Sequence, residues 1–493
     1  MKYLVTAEEM RRYDQNTIER IGIPAIVLME RAALAALEAV EKHCVGKGGF
    51  ALVLAGMGNN GGDGLALARM LSERGYQVEV WCVGNRDKAS EQWELQRKIL
   101  ESYSVELVTK PGRQEYTVVI DALFGVGLSR EISGVFREAA ELFNRLSGYK
   151  IALDLPSGVD SDTGRIWGCA IRADETVTFG FCKRGLLMYP GCAYAGKITA
   201  SDIGISERSF FGEGPGMVLC DEEAEQLLPS RRPDGNKGTF GKVLLMAGSR
   251  NMAGAAVLAA KACYRIGAGM VKVITPEENR VILQETVPEA LLGTPADLED
   301  GLEWADVIAI GPGIGKNREA VKCLELVLGK SRKPLVIDAD GLNLLSESRT
   351  LRAQLAEQGE KGRSLVLTPH VGELARLMGK SAAELKEDLP GCGKTLAGEL
   401  HAVVAAKDAR TFVCAENRPV CVSLSGNSGM ATAGSGDVLA GAIAGLLAQG
   451  MEPFQAAVSG VRLHGLAGDR VSARLGEHAC MAGDVADALG RER

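Results

Sequence analysis

Apolar residues in this chain gather in short unbroken runs, and helical spacing separates those runs. In the first half the runs are Phe50–Ala55, Gln77–Val83, Tyr116–Ile120 and Lys150–Leu153. A continuous apolar run of this length predicts a strand buried on both faces, as in a parallel sheet. Between them lie helical segments at Leu65–Arg74 and Glu91–Ser102. Upstream, Thr6 with Glu9 has the spacing of a capping box, and Pro24 opens a helix that continues to about Val40. Strand and helix in this alternation predict a doubly wound parallel sheet.

The rhythm resumes further along. Gly241–Ala247, Val271–Thr275, Val307–Ile310, Leu335–Ile337, Leu365–Leu367, Val403–Lys407, Thr411–Ala415 and Pro419–Ser423 read as strands of a second, larger α/β sheet. Between the halves, residues 202–237 loosen into Gly-, Pro- and charge-rich sequence. That change places a boundary near residue 218, with domains at 1–217 and 218–493.

Composition narrows the class. The 493 residues are 46% hydrophobic, 24% charged and 5% aromatic, enough for two or three globular domains. A net charge of −7 argues against a nucleic-acid partner or an anionic membrane surface. The 12 cysteines show no CxxC pair and no zinc spacing. Cys82, Cys263 and Cys414 sit in apolar segments and read as buried thiols of a reducing compartment. The N-terminus becomes charged too early for a signal peptide, and Lys261 and Arg265 interrupt the best membrane-spanning candidate. A cytoplasmic protein is expected. A homo-oligomer is also expected, with segment 24–40 as a subunit contact, although core packing explains that segment equally well.

The chemistry lies where the runs end. Ligands of open α/β sheets sit at the carboxyl ends of the strands. Three first-half strands end in polar clusters: Asn59/Asn60/Asp63, Asp121 and Asp154/Ser157. Gly56-x-Gly58-x-x-Gly61, with Glu79 further on, fits a dinucleotide fingerprint. Against that reading, Asn59, Asn60 and Asp63 fill the loop, and three acids would repel a diphosphate. Carboxylate and amide oxygens without Cys or His suit a hard cation, and Asn59, Asp121 and Ser157 are the candidates. For Ser157 a strand-end turn is an equal explanation.

In the second half the densest stretch is residues 427–441, where Ala433-Gly434-Ser435-Gly436-Asp437 runs into an apolar helix. Small residues before a helix leave N–H groups free for an anion, and the helix dipole assists. Asp437 beside such an anion is placed to act as a base on a hydroxyl. His370 directly follows a strand and is expected to contact ligand. Gly391-Cys392-Gly393-Lys394-Thr395 looks like the tail of a phosphate loop but lacks its first glycine and its strand. Lys394-Thr395 is therefore expected to start a helix.

Taken in order, these motifs resemble the bifunctional NAD(P)H-hydrate repair enzymes over nearly the whole chain. Gly58-Asn59-Asn60-Gly61-Gly62-Asp63-Gly64, Asp121-Ala122-Leu123-Phe124-Gly125-Val126-Gly127 and Asp154-Leu155-Pro156-Ser157-Gly158 resemble the NAD(P)H-hydrate epimerase domain. Tyr189-Pro190-Gly191 and Asp202-Ile203-Gly204 extend that likeness. Lys237-Gly238-Thr239-Phe240-Gly241, Gly311-Pro312-Gly313, Thr368-Pro369-His370-Val371-Gly372-Glu373 and the stretch Asn427 to Asp437 resemble the ADP-dependent dehydratase domain. The resemblance implies a Rossmann-like three-layer αβα domain followed by a ribokinase-like αβα domain.

It also implies roles. Gly58, Asn59, Asn60, Gly61, Gly62 and Asp63, with Gly125, Val126, Gly127, Leu128, Ser129, Arg130, Glu131 and Asp154, would contact the hydrates of NADH and NADPH. Asn59, Asp121 and Ser157 would hold K+, and Asp154 would transfer the proton that lets C6 invert. In the second domain Ala255, Gly313, His370 and Asp437 would contact the hydrate. Lys407, Asp408, Ala409, Arg410, Thr411 and Gly436 would bind ADP, carried with Mg2+. Asp437 would be the base for a phosphate-assisted loss of the C6 hydroxyl, giving AMP and phosphate.

One departure stands out: where related sequences often show Lys-Gly, this chain has Lys407-Asp408, with Arg410 close enough to offset the added charge. Fusion of the two domains favours ADP. The alternatives are a ribokinase-type small-metabolite kinase, and a first domain that binds ligand without turnover.

Overall fold

A computed structural model describes residues 3–44, 48–103, 105–220 and 229–490. It divides the chain into two compact units, residues 2–216 and 217–493.

In the first unit, β1 (Tyr3–Val5) leads into helix Ala7–Gln15, whose N-terminus carries the Thr6/Glu9 capping box in full. Helix Ala25–His43 then turns Leu28, Met29, Ala32, Ala33, Ala36, Leu37 and Val40 into the core. Next come β2 (Gly49–Ala55), β3 (Tyr76–Cys82), β4 (Glu106–Val108), β5 (Glu115–Ala122), β6 (Ser147–Leu153), β7 (Glu175–Phe179), β8 (Cys182–Lys183) and β9 (Lys197–Ser201). The sheet order is β4-β3-β2-β5-β6-β7-β9, and each of its pairings is parallel. Separately, β8 pairs with β1. The chain starts at β2 and winds out in both directions, so a crevice opens between the ends of β2 and β5.

Strands β4, β7, β8 and β9 escape the apolar pattern because they are short or carry polar residues such as Glu175, Thr176 and Thr178. Residues 59–64 differ from the expected loop: the helix begins at Asn59, not Leu65, and runs to Glu73. The reason is steric. A Cβ on Gly61 would lie 1.8 Å from the Gly56 carbonyl oxygen, and one on Gly64 would lie 2.6 Å from Ala122 Cβ. Glycine lets this helix sit directly on the strand ends.

The second unit contains β10 (Met217–Leu219), β11 (Lys242–Met246), β12 (Met270–Ile274), β13 (Leu291–Gly293), β14 (Val307–Ile310) and β15 (Leu335–Ile337). It continues with β16 (Leu365–Leu367), β17 (Val403–Ala406), β18 (Thr411–Cys414) and β19 (Val420–Ser423). Their order is β13-β12-β11-β14-β15-β16-β17-β18-β19-β10. Pairing is parallel as far as β17 and antiparallel across β17–β18–β19. Helix Ser435–Ala448 buries eleven residues and packs on helix Ala253–Arg265. Small residues allow that approach: a Cβ on Gly441 would lie 2.2 Å from the Ala259 carbonyl oxygen.

Two local readings are corrected here. Lys394 and Thr395 lie in the middle of helix Leu389–Leu400, which starts earlier because Asp388 caps it by accepting from Gly391 N. Cys263 and Cys414 are buried, but Cys82 is only partly so. Among the described residues no helix is long and apolar enough to cross a membrane.

Candidate functional site

The first unit holds a cavity of about 610 Å³ at the carboxyl ends of its strands. Gly58 and the first turns of helix Asn59–Glu73, through Asn59, Asn60 and Asp63, line it after β2, and Gly125 to Leu128 line it from the turn after β5. Asp154 enters from the end of β6, in a left-handed conformation (φ 66°) that a non-glycine residue adopts only when held. Its amide donates to Val177 O at 2.8 Å. Ser129, Arg130 and Glu131 are exposed and stand outside the cavity wall. Gly61 and Gly62 are buried against Gly56 and Met29, so their part is packing.

Asp121 and Ser157 come together behind this wall. Ser157 N donates to Asp121 Oδ2 at 2.7 Å and Ser157 Oγ to Asp121 Oδ1 at 2.7 Å, while Leu123 N also donates to Oδ1. Burial pushes the Asp121 carboxyl up to about 6, against the pull of these bonds. Glu79 lies within β3, where it accepts from Tyr116 Oη and Gly112 N; this is a structural role, away from any ribose position.

The apolar pattern gave no sign of Lys183. It is 1% exposed, and its ammonium donates to Asp154 Oδ1 at 2.5 Å, to Phe179 O at 2.7 Å and to Thr178 Oγ1 at 3.2 Å. Asp14, from the first helix, also lines the cavity. Burial, and then the charges of Asp154 and Asp14, hold the Asp63 carboxyl well above the usual range. A polar residue inside a two-residue strand was the available signal for Lys183, and only the fold shows its partner.

In the second unit Asp437 stands in the first turn of helix Ser435–Ala448, whose N-cap is Gly434 at φ 90°. Its carboxyl is pushed up to about 7, by burial first and then by Asp338. Asp338 directly follows β15. It is buried and accepts from Lys407 Nζ at 2.8 Å and from Thr368 Oγ1 at 2.8 Å. Lys407 follows β17, and burial would lower its pKa, but the Asp338 and Glu373 carboxylates raise it. A Cβ on Gly436 would meet Lys407 Nζ at 3.1 Å, so glycine keeps the ammonium at the helix N-terminus.

His370 caps helix Val371–Met378: its Nδ1 accepts from Gly372 N at 3.0 Å, and its own N donates to Glu373 Oε2 at 2.9 Å. Burial and then the nearby Lys407 lower its pKa. Gly313 has φ 62°, and a Cβ there would lie 2.9 Å from Ala255 Cβ, which makes these two neighbours. Lys407 to Arg410 form the turn between β17 and β18, with Asp408 exposed and Arg410 donating to Leu424 O at 3.1 Å.

Two α/β units, each with a carboxylate at the strand ends and a lysine paired to a buried acid, define a two-site α/β enzyme. Residues 243–491 match the family model described as NAD(P)H-hydrate dehydratase, and residues 25–185 match the YjeF-related protein N-terminus. The bifunctional NAD(P)H-hydrate repair enzyme Nnr of Moorella thermoacetica is 37% identical, covering 99% of this chain and 96% of its own. That of Thermofilum pendens is 38% identical, covering 95% and 92%. A ribokinase-like superfamily protein from Enterococcus faecalis V583 is 31% identical and matches 56% of this chain and 94% of its own, with a TM-score of 0.50. The chain belongs to the family of bifunctional NAD(P)H-hydrate repair enzymes. Both the fold class and the family expected from the motifs hold.

Proposed function

We propose that the first unit interconverts the R and S forms of hydrated NADH and NADPH, and that the second returns the S form to the reduced nucleotide at the expense of ADP. The observation that carries this reading is the pair of acid-bearing strand-end sites, one in each unit, in a chain of this family.

In the second unit Asp437 takes the proton of the C6 hydroxyl. The oxygen attacks the β-phosphorus of ADP and AMP leaves. Phosphate then departs from C6 as C5 loses a proton, which forms the C5=C6 bond. The N–H groups opening helix Ser435–Ala448, together with Lys407, face the transferring phosphoryl group. The turn Lys407–Thr411 and Gly436 hold the nucleotide, while Ala255, Gly313 and His370 hold the hydrate. Among the described residues no three His, Cys, Asp or Glu side chains group to hold a metal. Mg2+ is therefore assigned to the ADP phosphates, where it keeps most of its water.

In the first unit Gly58, Asn59, Asn60 and Asp63, with Gly125 to Leu128, are assigned to the hydrate and Asp154 to proton transfer. K+ is assigned to Asn59, Asp121 and Ser157. The donor chemistry fits: these are hard oxygens, and Asn60 Oδ1, next in sequence to Asn59, is buried without a partner among the described residues. Bound there, K+ would supply a fixed positive charge that orders the loops. Family membership favours this pair of activities over a small-metabolite kinase.

Incubation of the chain with racemic NADH hydrate, ADP and Mg2+ tests the proposal. Full recovery of NADH absorbance is expected. Recovery of half would remove the epimerase assignment, and no recovery would remove both.

A further inference from the structure

Every proton of the Lys183 ammonium is engaged, by Asp154 Oδ1, Phe179 O and Thr178 Oγ1. Asp154 Oδ1 also lies 3.4 Å from Thr178 Oγ1 and 3.5 Å from Phe179 N. All the hydrogen bonds to this carboxylate among the described residues therefore fall on one oxygen. The other, Oδ2, lies 3.0 Å from where a Gly125 Cβ would be, on the cavity wall. The two oxygens are thus unequal by construction. One is fixed inside the protein and one faces the ligand space.

We infer that Lys183 is a positioning residue for epimerisation: it pins Oδ1 of Asp154, so that Oδ2 alone takes and returns the substrate proton. The inference rests on the epimerase reading above. The C6 carbon of the hydrate carries both a hydroxyl and the ring nitrogen N1. Oδ2 takes the hydroxyl proton, and the C6–N1 bond breaks with its electron pair passing to N1, leaving an aldehyde at C6. Oδ2 passes the proton to N1. After rotation of the aldehyde, N1 attacks its other face, and the proton returns through Oδ2 to oxygen. Nothing is consumed.

Lys183 has a second effect. Asp63 and Asp14 also face Asp154, from helices Asn59–Glu73 and Ala7–Gln15. In that company the ammonium offsets the negative charge gathered around Asp154.

The experiment measures interconversion of the separated R and S hydrates by the full chain without ADP, from pH 6 to pH 9.5. Dehydration of the S hydrate in the same samples calibrates the active chain. Lys183→Met should lower kcat at pH 7 by about 100-fold, within the range for a misplaced acid–base group, and leave KM little changed. Lys183→Arg keeps the charge and should retain more activity than Lys183→Met. The inference fails if Lys183→Met turns over like wild type, or if its loss appears in KM and not in kcat. If Lys183→Met does not fold, Lys183→Arg decides: a loss of about 10-fold supports positioning and a wild-type rate overturns it. A wild-type chain that interconverts no hydrate would instead refute the epimerase reading itself.

Discussion

The two sites hold similar parts and distribute their charge differently. In the first unit the buried ammonium of Lys183 lies on Asp154, the residue proposed to move the proton. In the second the ammonium of Lys407 lies on Asp338, beside the proposed base Asp437. Asp437 is left with burial and like charge opposed only at second hand, and its carboxyl stands at about 7. The contrast teaches that a strand-end acid is defined less by its position than by which neighbour receives the local cation. A carboxylate without a direct cation partner, as Asp437 is, stands poised to exchange protons near neutrality.

The largest effect should come from separating the two sites. Asp437→Asn should lower dehydration by about 10³-fold and leave epimerisation intact, and Asp154→Asn should do the reverse. Either variant keeping both activities breaks the comparison. The assay is NADH recovery alongside chromatographic separation of the epimers.

pH should distinguish the sites next. Because Asp437 must be ionised to act as a base, kcat/KM for dehydration should fall about 10-fold per unit below its pKa of about 7. Stability should move the other way. A carboxyl whose pKa is raised on folding favours the folded state fully below its ordinary value of 3.8, and that contribution is lost as pH rises to about 7. Asp437→Asn should therefore melt above wild type at pH 8, and the gap should close towards pH 4. A gap independent of pH in calorimetry would show that Asp437 is not the strained carboxylate.

A smaller effect should follow Gly436→Ala. Its Cβ would crowd Lys407 Nζ at 3.1 Å and move the ammonium by a few tenths of an ångström. A loss of about 10-fold in dehydration kcat is expected, with epimerisation unaffected. The smallest should be replacement of K+ by Li+, which should slow epimerisation by roughly 3-fold and leave dehydration unchanged, because the ion is assigned to ordering loops only. Equal sensitivity of both activities would place the cation elsewhere.

Legibility divides along physical lines. Apolar runs placed β2, β3, β5 and β6 within a residue or two at most ends, because a buried parallel strand advertises both faces. Glu175, Thr176 and Thr178 hid β7, since their side chains satisfy burial by hydrogen bonds: Glu175 accepts from Thr199 on β9, Thr176 donates to Ala195 O and Thr178 accepts from the Lys183 ammonium. Glycines after β2 suggested a loop and proved to be the first turns of a helix, because a missing Cβ serves close packing as readily as flexibility.

By itself, then, the amino-acid sequence determined the α/β rhythm, the acids at the strand ends and the family, all of which are local properties or ordered motifs. Only the tertiary structure decided which acid meets which cation. Lys183 lies 29 residues from Asp154, and Lys407 lies 69 from Asp338. Nothing in the neighbours of either lysine encodes its partner. Sheet order brings them together, and with each carboxylate buried and its lysine at 2.5 to 2.8 Å, pairing costs less than leaving the carboxylate alone.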